Sequence, residues 1–262
     1  MVEIIDQIGK HVRLNAKPKR IISLVPSITE FLYDLGLGEQ VVGITKFCVH
    51  PEFWKNEKEI IGGTKQQHLK KIKDLNPDLI IASKEENVKT YVAKLLKFCP
   101  VYVSDVLDFD SAIQMMNDIG LLTKKKDKAT EIIQSIKQKF QLLHKPTQNI
   151  KVVYCIWKNP WMWAGSDTFI SKMLNYAGFE NIISDERYPE LEMKEIIKEN
   201  PDYIFLSSEP YPFKEKHIEE LNTEFPNSRF KIVDGEMFSW YGSRMLQAPE
   251  YFNSLFQDIK SE

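Results

Sequence analysis

The sequence contains an internal repeat whose period is close to half of its 262 residues. A charged helical stretch runs into Asn-Pro-Asp and then into an apolar strand twice, over residues 69–82 and again over residues 193–207. A second matching pair, residues 29–36 and 168–178, is typical of a capped helix that ends at glycine. Two similar α/β lobes in one short chain predict a cleft between them, and clefts of this kind commonly hold ligands.

Composition excludes several classes of partner. The formal net charge is −2 and the pI is about 6.3, so the chain lacks the basic footprint of a nucleic-acid-binding protein. No stretch approaches the roughly 20 apolar residues that span a bilayer, so no membrane insertion is expected. Residues 1–6 do not resemble an export signal, which predicts a cytoplasmic protein, or a periplasmic one if a signal has been removed. Three scattered cysteines predict reduced thiols.

Strand and helix patterns alternate along the chain. Residues 2–6 and 11–14 indicate a hairpin, and six apolar runs indicate buried strands: 20–25, 41–45, 79–82, 101–104, 151–157 and 230–233. Ser27 or Thr29 is predicted to cap the first long helix, and Gly36 or Gly38 to end it. The alternation predicts an α/β fold with two Rossmann-like lobes, each built on a parallel sheet.

One long amphipathic helix is predicted to join the lobes. Its apolar residues recur with helical spacing from Ala129 to Leu143, and Pro146 is expected to end it. The predicted organisation is therefore an N-terminal lobe over residues 1–122, a connecting helix over 123–146 and a C-terminal lobe over 147–262. A helical connector resists bending, so we expect only a small closure of the lobes on ligand.

Five motifs in order along the chain carry a family resemblance. They are RIISLVPSITE (20–30), VGIT (42–45), IGG (61–63), LNPDLIIA (75–82) and GSDTFI (165–170). From about residue 20 onwards the chain resembles the helical-backbone class of substrate-binding proteins, which serve ABC importers, and is most similar to the cobalamin-binding subgroup. The resemblance implies a non-catalytic, monomeric protein without a catalytic cofactor, whose ligand is a corrinoid, haem or a ferric siderophore.

The sequence departs from this family at the positions that meet the permease. Family members usually carry a glutamate early in the helix before each Pro-Asp, and the two carboxylates dock on permease arginines. Lys70 and Lys194 occupy these positions here, with Glu195 beside the second. Reversing both charges turns two attractions into two repulsions, which argues against coupling to a conventional permease.

Ligand-binding residues are expected in the loops that follow the predicted strands. The candidates are Ser27, Phe47, Glu86, Trp157, Trp161, Trp163, Arg187, Tyr188, Glu209, Tyr211, Trp240, Tyr241 and Arg244. Aromatic side chains in loops stack on flat ligands, although packing beneath the loops is an alternative. The arginines suit a carboxylate or phosphate, or else an internal salt bridge with Glu209, Glu190 or Glu236.

The sequence carries only weak candidates for a metal or catalytic site. His50, His68, His217 and Cys48 lack the spacing of a metal site, although His50 or His68 remains an alternative axial ligand for haem iron or cobalt. The phosphate-binding and nucleophile motifs of common enzymes are absent from the sequence. Two alternatives stay open, namely an intracellular sensor or carrier that acts through a protein partner, and a small two-lobe enzyme acting on a sugar or nucleotide.

Overall fold

The computed structural model describes residues 1–143, 149–222 and 228–261, and the chain divides into two compact units. The first unit comprises Met1–Val106, Asp110–Ile136 and Tyr241–Arg244. The second comprises Leu107–Phe109, Lys137–Trp240 and Met245–Glu262. The chain therefore enters the first unit again near its end, through a segment of four residues, Tyr241–Arg244, that we call the return segment.

The first unit contains a hairpin and a parallel sheet. The predicted hairpin is confirmed as the antiparallel pair β1 (Val2–Ile5) and β2 (His11–Leu14). The sheet has the order β5-β4-β3-β6-β7, and its strands are β3 (Ile21–Ser23), β4 (Val41–Ile44), β5 (Glu59–Ile60), β6 (Leu79–Ser83) and β7 (Val101–Ser104). Its helices are α1 (Pro26–Asp34), α2 (Trp54–Glu57), α3 (Leu69–Asp74) and α4 (Lys89–Leu95).

The second unit repeats the parallel arrangement with its own sheet. The strand order is β10-β8-β11-β12, and the strands are β8 (Ile150–Trp157), β10 (Phe179–Asn181), β11 (Tyr203–Ser207) and β12 (Arg229–Val233). A short strand, β9 (Met162–Trp163), pairs antiparallel with β8. The helices are α7 (Phe169–Ala177), α8 (Met193–Glu199), α9 (Glu215–Asn222), α10 (Gly235–Ser239) and α11 (Ala248–Ser261). The predicted α/β fold with two parallel sheets is confirmed.

The Asn-Pro-Asp repeat performs the same structural task in each unit. Asn76 and Asn200 both adopt the left-handed conformation, with φ of 46° and 47°, and so end α3 and α8. The Asp78 carboxylate accepts hydrogen bonds from the backbone N–H groups of residues 19 and 20 at 2.7 and 3.0 Å. Asp202 accepts one from the N–H of Lys151 at 2.8 Å. Each aspartate therefore ties the start of one central strand to the start of its neighbour.

The ends of the helices are set by local residues, but the predicted cap of α1 needs correction. Thr168 caps α7 by accepting a hydrogen bond from the N–H of Ser171, and Gly178 ends that helix at a φ of 91°. The prediction that Ser27 or Thr29 caps α1 is wrong. The cap position belongs to Val25, because Pro26 begins the helix at the position where a missing N–H costs nothing. Ser27 and Thr29 therefore lie inside the first turn.

Two helices follow β7 before the second sheet begins. They are α5 (Phe109–Leu122) and α6 (Lys126–Gln141), and the predicted end of the connector at Pro146 lies outside the described residues. The apolar face predicted for α6 is buried from Ala129 to Phe140. Along the described ranges, none of the helices combines the length and apolar character needed to cross a membrane.

Candidate ligand-binding surfaces

A pocket of about 760 Å³ lies in the first unit, among loops that follow the carboxyl ends of β4 and β5. Its lining residues are Lys46, Phe47, Gly62, Gly63, Thr64, Lys65, Gln66, Gln67, His68 and Tyr91. The Phe47 ring is half exposed, and the Lys46 ammonium lies 4.9 Å from its centroid, a cation–π distance. This pocket holds Phe47, one of the predicted ligand residues, at its wall.

The pocket loop, residues 62–68, is fixed by its own backbone. Gly62 has a φ of 110°, and a Cβ atom there would lie 2.4 Å from the carbonyl oxygen of Gln66, so only glycine fits. Gly62 and Gln67 form an antiparallel bridge, and the N–H of Gly63 donates to the Gln66 carbonyl at 2.9 Å. The Asn87 side chain donates to the Thr64 carbonyl at 2.8 Å. The loop is therefore a preformed hairpin.

The return segment adds Tyr241 to the first unit beside β6 and β7. Its hydroxyl hydrogen-bonds with Ser83 and Ser104, which end these two strands. Burial, and secondly the negative charge of Glu86, raise the pKa of Tyr241 well above its ordinary value, so the phenol stays neutral. Glu86, a predicted ligand residue, lies half-buried in the turn after β6. Tyr241 and Glu86 are thus brought together.

A buried ion pair anchors the same segment to α1. Arg244 contacts both carboxylate oxygens of Glu30, with N–O distances of 2.7 and 3.0 Å. Burial raises the pKa of Glu30, and the nearby charges of Arg244 and His50 oppose that rise. Glu30 was not among the acidic partners expected for this arginine. Ser27, a predicted ligand residue, is buried on the same helix, and its hydroxyl has no hydrogen-bond partner in the described part of the chain.

An aromatic cluster of four side chains, Trp157, Trp161, Tyr211 and Phe213, follows the carboxyl ends of β8 and β11. The Trp157 and Tyr211 rings meet edge to face at 5.6 Å, and Tyr211 and Phe213 at 4.6 Å. Trp161 stacks on Phe213 at 6.2 Å. Trp157 is 38% exposed, and Trp161 and Tyr211 are partly exposed. The second unit therefore presents flat apolar faces to solvent at this edge of its sheet.

Three further candidates have buried or partly buried side chains in the second unit, and one of them, Trp163, packs against Trp161 of this cluster. Trp163 is fully buried in the core, where its indole N–H donates to the Leu191 carbonyl at 3.0 Å. Trp240 is buried, and its indole N–H donates to Glu209 at 2.7 Å. Glu209 also accepts from the Ser239 hydroxyl at 2.8 Å, and burial raises the pKa of its carboxyl group. The Glu209 carboxylate therefore ties the end of α10 to the turn after β11.

Arg187 and Tyr188 lie together in a loop after β10. The Arg187 guanidinium is 5.6 Å from the Tyr188 ring, and it reaches Asp167 at 3.9 Å. The backbone N–H of Arg187 donates to the same carboxylate at 2.5 Å. The Arg187 side chain is 44% exposed, so the loop holds a cation at the surface of the second unit.

The docking candidates are exposed at the starts of α3 and α8. Lys70 and Lys194 occupy equivalent positions in the two copies of the repeat, and both are exposed. The charged residues next to them make contacts within the protein. Lys71 forms an ion pair with Glu59 at 2.6 Å, and the Glu195 carboxylate accepts a hydrogen bond from the backbone N–H of Glu192 at 2.7 Å. Each unit therefore displays one equivalent lysine.

Several residues of these surfaces are not among those predicted from the sequence. Gln67 and Tyr91 line the pocket, and Phe213 completes the aromatic cluster. The Gly62-Gly63 pair after an apolar strand was the available signal for the pocket loop, because paired glycines mark tight turns. Over the described residues, no group of three or more His, Cys, Asp or Glu side chains is placed to hold a metal ion.

Comparison with known proteins agrees with this architecture. The family model described as periplasmic binding protein matches residues 21–226. A substrate-binding lipoprotein of an ABC transporter in Bacillus subtilis, YvrC, is 28% identical, with 100% of this chain and 87% of the relative aligned. The vitamin B12-binding protein of Vibrio vulnificus is also 28% identical, over 96% of this chain and 95% of the relative.

A solved structure extends the similarity to the fold. A possible iron-binding periplasmic solute-binding protein from Staphylococcus epidermidis superimposes with a TM-score of 0.74 at 27% identity, covering 93% of this chain and 99% of that one. The family model covers well over half of the sequence, from residue 21 to residue 226. The chain belongs to the periplasmic binding protein family and is a non-catalytic solute receptor.

Proposed function

We propose that this chain is the substrate-binding component of an ABC importer and that its ligand is a corrinoid. Two relatives aligned over nearly the whole chain support this, one a lipoprotein of an ABC transporter and the other a vitamin B12-binding protein. By the same analogy the protein works on the outer side of the cytoplasmic membrane. Family membership favours this receptor over an intracellular sensor or a small enzyme.

The observation that carries the choice of ligand is the aromatic cluster. Trp157, Trp161 and Tyr211 offer flat, partly exposed apolar faces, which pack against the buried rings of Phe213 and Trp163. A corrin ring is broad, flat and largely apolar on its faces, and aromatic side chains supply large contact areas at low cost in side-chain entropy. The exposed Arg187 in the same unit suits the carbonyl or phosphate oxygens at the rim of such a ligand.

Tryptophan fluorescence tests this proposal. Titration with cyanocobalamin, dicyanocobinamide, haemin and ferric siderophores is expected to give strong quenching by the corrinoids, because Trp157 and Trp161 lie at the proposed contact surface. The variant Trp157→Ala/Tyr211→Ala should weaken corrinoid binding by about tenfold or more, since two stacking surfaces are lost.

The exposed Phe98 provides a matched control for aromatic truncation. Its ring is 39% exposed in the first unit and belongs neither to the aromatic cluster nor to the pocket lining, so Phe98→Ala should leave corrinoid affinity unchanged. Equal affinity of the wild type and the Trp157→Ala/Tyr211→Ala variant would contradict the assignment of the aromatic cluster. Binding of haemin or a ferric siderophore alone would mean that the ligand is not a corrinoid. An iron-containing ligand is the second candidate, because the Staphylococcus epidermidis relative is described as possibly iron-binding.

Docking on the permease is proposed to use Lys70 and Lys194. Both are exposed at equivalent positions of the repeat, so a permease with two similar subunits can meet both units in the same way. Acidic side chains on the permease would complement them. Replacing both lysines by glutamate should weaken association with the cognate permease by about tenfold or more, measured with the transporter in lipid nanodiscs at low salt.

Two other exposed lysines give the control for docking. Lys97 and Lys172 lie one in each unit, and Lys97→Glu/Lys172→Glu makes the same change in net charge. This control should bind the permease nearly as well as wild type. Equal weakening by both double variants would mean that only the total charge matters, and would exclude Lys70 and Lys194 as specific contacts.

A further inference from the structure

Charge is divided unequally between the two units. The sequence of the first unit contains 21 Lys and Arg against 17 Asp and Glu, whereas that of the second contains 14 against 20. The formal net charge of −2 for the whole chain therefore conceals a basic first unit and an acidic second unit. A negatively charged surface attracts the first unit and repels the second, so such a partner is expected to contact the first unit alone.

The helices α3 and α4 pack on the same face of the first sheet. Ile72 of α3 and Val92 and Leu95 of α4 are buried in one core cluster with side chains of β3, β6 and β7. Since the apolar side chains of both helices point into this cluster, the exposed ones lie on the solvent-facing side. Five exposed lysines on the two helices and in the turn after α4 form what we call the lysine surface, namely Lys70, Lys73, Lys89, Lys94 and Lys97.

The charge of the lysine surface is not neutralised within the protein. In the described part of the chain, none of its five ammonium groups forms an ion pair with a carboxylate, and that of Lys94 lies 5.1 Å from the ring centroid of Tyr91. Asp74 is the only acidic residue of α3 and α4, while Glu85 and Glu86 precede α4 in the turn after β6. The surface therefore keeps an excess of positive charge for an external partner.

The residue types of the lysine surface indicate a diffuse anionic partner. All of its cations are lysines, whose compact and strongly hydrated charges lack the planar fork with which arginine grips a single carboxylate or phosphate. Two exposed apolar side chains flank α4, since Val88 is 37% exposed before the helix and Phe98 is 39% exposed after it. Lysines interspersed with exposed apolar side chains are typical of surfaces that lie against anionic lipid headgroups.

We propose that the lysine surface contacts anionic phospholipid headgroups of the membrane. The inference rests on the proposed function, because that function locates the chain beside the outer face of the cytoplasmic membrane. It goes beyond permease docking, since the three lysines of α4 and its following turn are additional to Lys70. Contact through the first unit alone would keep the receptor close to the membrane that holds its permease, and so raise its effective concentration there.

The experiment measures co-sedimentation of the full chain with lipid vesicles at low and high salt. Wild type should bind vesicles of phosphatidylcholine mixed with phosphatidylglycerol at low salt, lose this binding at high salt, and not bind phosphatidylcholine alone. Lys89→Gln/Lys94→Gln/Lys97→Gln should weaken binding to the mixed vesicles by about tenfold or more.

Three exposed lysines of the second unit give the matched control. Lys172→Gln/Lys198→Gln/Lys216→Gln makes the same change in net charge and should bind the mixed vesicles as well as wild type. Equal weakening by the two triple variants would mean that only total charge matters, and would overturn the inference. No binding of wild type to the mixed vesicles at low salt, or equal binding to both kinds of vesicle, would also overturn it.

Two further measurements separate this inference from the other assignments. If wild type does not bind vesicles but Lys89→Gln/Lys94→Gln/Lys97→Gln weakens association with the permease in nanodiscs of phosphatidylcholine alone, the lysine surface belongs to an acidic protein partner and the lipid assignment is wrong. The corrinoid titration contains no lipid. Its failure would therefore overturn the proposed ligand while leaving the vesicle result in place, and failure of vesicle binding would leave the proposed ligand in place.

Discussion

Replacing Arg244 with methionine is expected to destabilise the protein by about 3–5 kcal/mol, the usual cost of removing one partner from a buried ion pair. The side chains of Arg244 and Glu30 are only 8% and 12% exposed, so the remaining carboxylate would lose its counter-charge without gaining much water. Urea unfolding, followed by circular dichroism at neutral pH, measures the change in the free energy of unfolding.

The pH dependence of this loss distinguishes charge from packing. Burial already raises the pKa of Glu30, and Arg244 is the main opposing influence, so in Arg244→Met the folded-state pKa should rise further. A folded-state pKa above the unfolded value means that folding takes up a proton, and stability then falls as pH rises through the folded pKa. The loss of unfolding free energy caused by Arg244→Met should therefore be largest at neutral pH and become smaller as the pH is lowered.

A second substitution provides the control. Adding Glu30→Gln to Arg244→Met removes the buried charge and should recover a substantial part of the stability at neutral pH. A deficit that is independent of pH, or one that Glu30→Gln does not reduce, would show that the packing of the arginine stem matters more than its charge.

Trp163→Ala is expected to cost about 3–5 kcal/mol, as for other fully buried large aromatic residues. The side chain is fully buried in the core of the second unit, and its truncation would leave a cavity together with an unpaired carbonyl at Leu191. The midpoint of urea unfolding should fall accordingly, and thermal unfolding should occur at a lower temperature.

Trp157→Ala is the matched comparison, because the same residue type lies nearby but is 38% exposed. We expect Trp157→Ala to lose ligand affinity with little loss of stability. Trp163→Ala should show the opposite pattern, with lower stability but retained ligand affinity when binding is measured under conditions where the variant is folded. Full stability combined with lost affinity in Trp163→Ala would instead make that tryptophan a direct ligand contact.

Local chemistry explains why the fold was predictable from the sequence. The Asn-Pro-Asp repeat ends a helix and starts a strand through contacts within a few residues, together with backbone hydrogen bonds to the start of the adjacent strand. The cap at Thr168 and the left-handed Gly178 are likewise set by neighbours in the chain. Features of this kind leave a direct mark on the order of residues.

The site was only partly predictable because tertiary packing decides which side chains are exposed. Trp157 and Trp163 both lie in the same aromatic stretch, yet one faces solvent and the other fills the core. Glu30 and Arg244 are 214 positions apart, and nothing near either residue indicates the other. The expectation that ligand-binding residues follow the strands identified the loops correctly. The lining of the pocket and the buried ion pair instead depend on segments that are distant from one another in the sequence.

The return segment constrains how relatives of this protein can exchange parts. A single crossover between the two copies of the repeat would separate Arg244 and Tyr241 from Glu30, Ser83 and Ser104, the residues that they contact in the first unit. A chimaera made in this way inherits a buried carboxylate from one parent and its counter-ion from another. The halves are therefore not interchangeable modules, and recombination preserves the first unit only when residues 241–244 are inherited together with it.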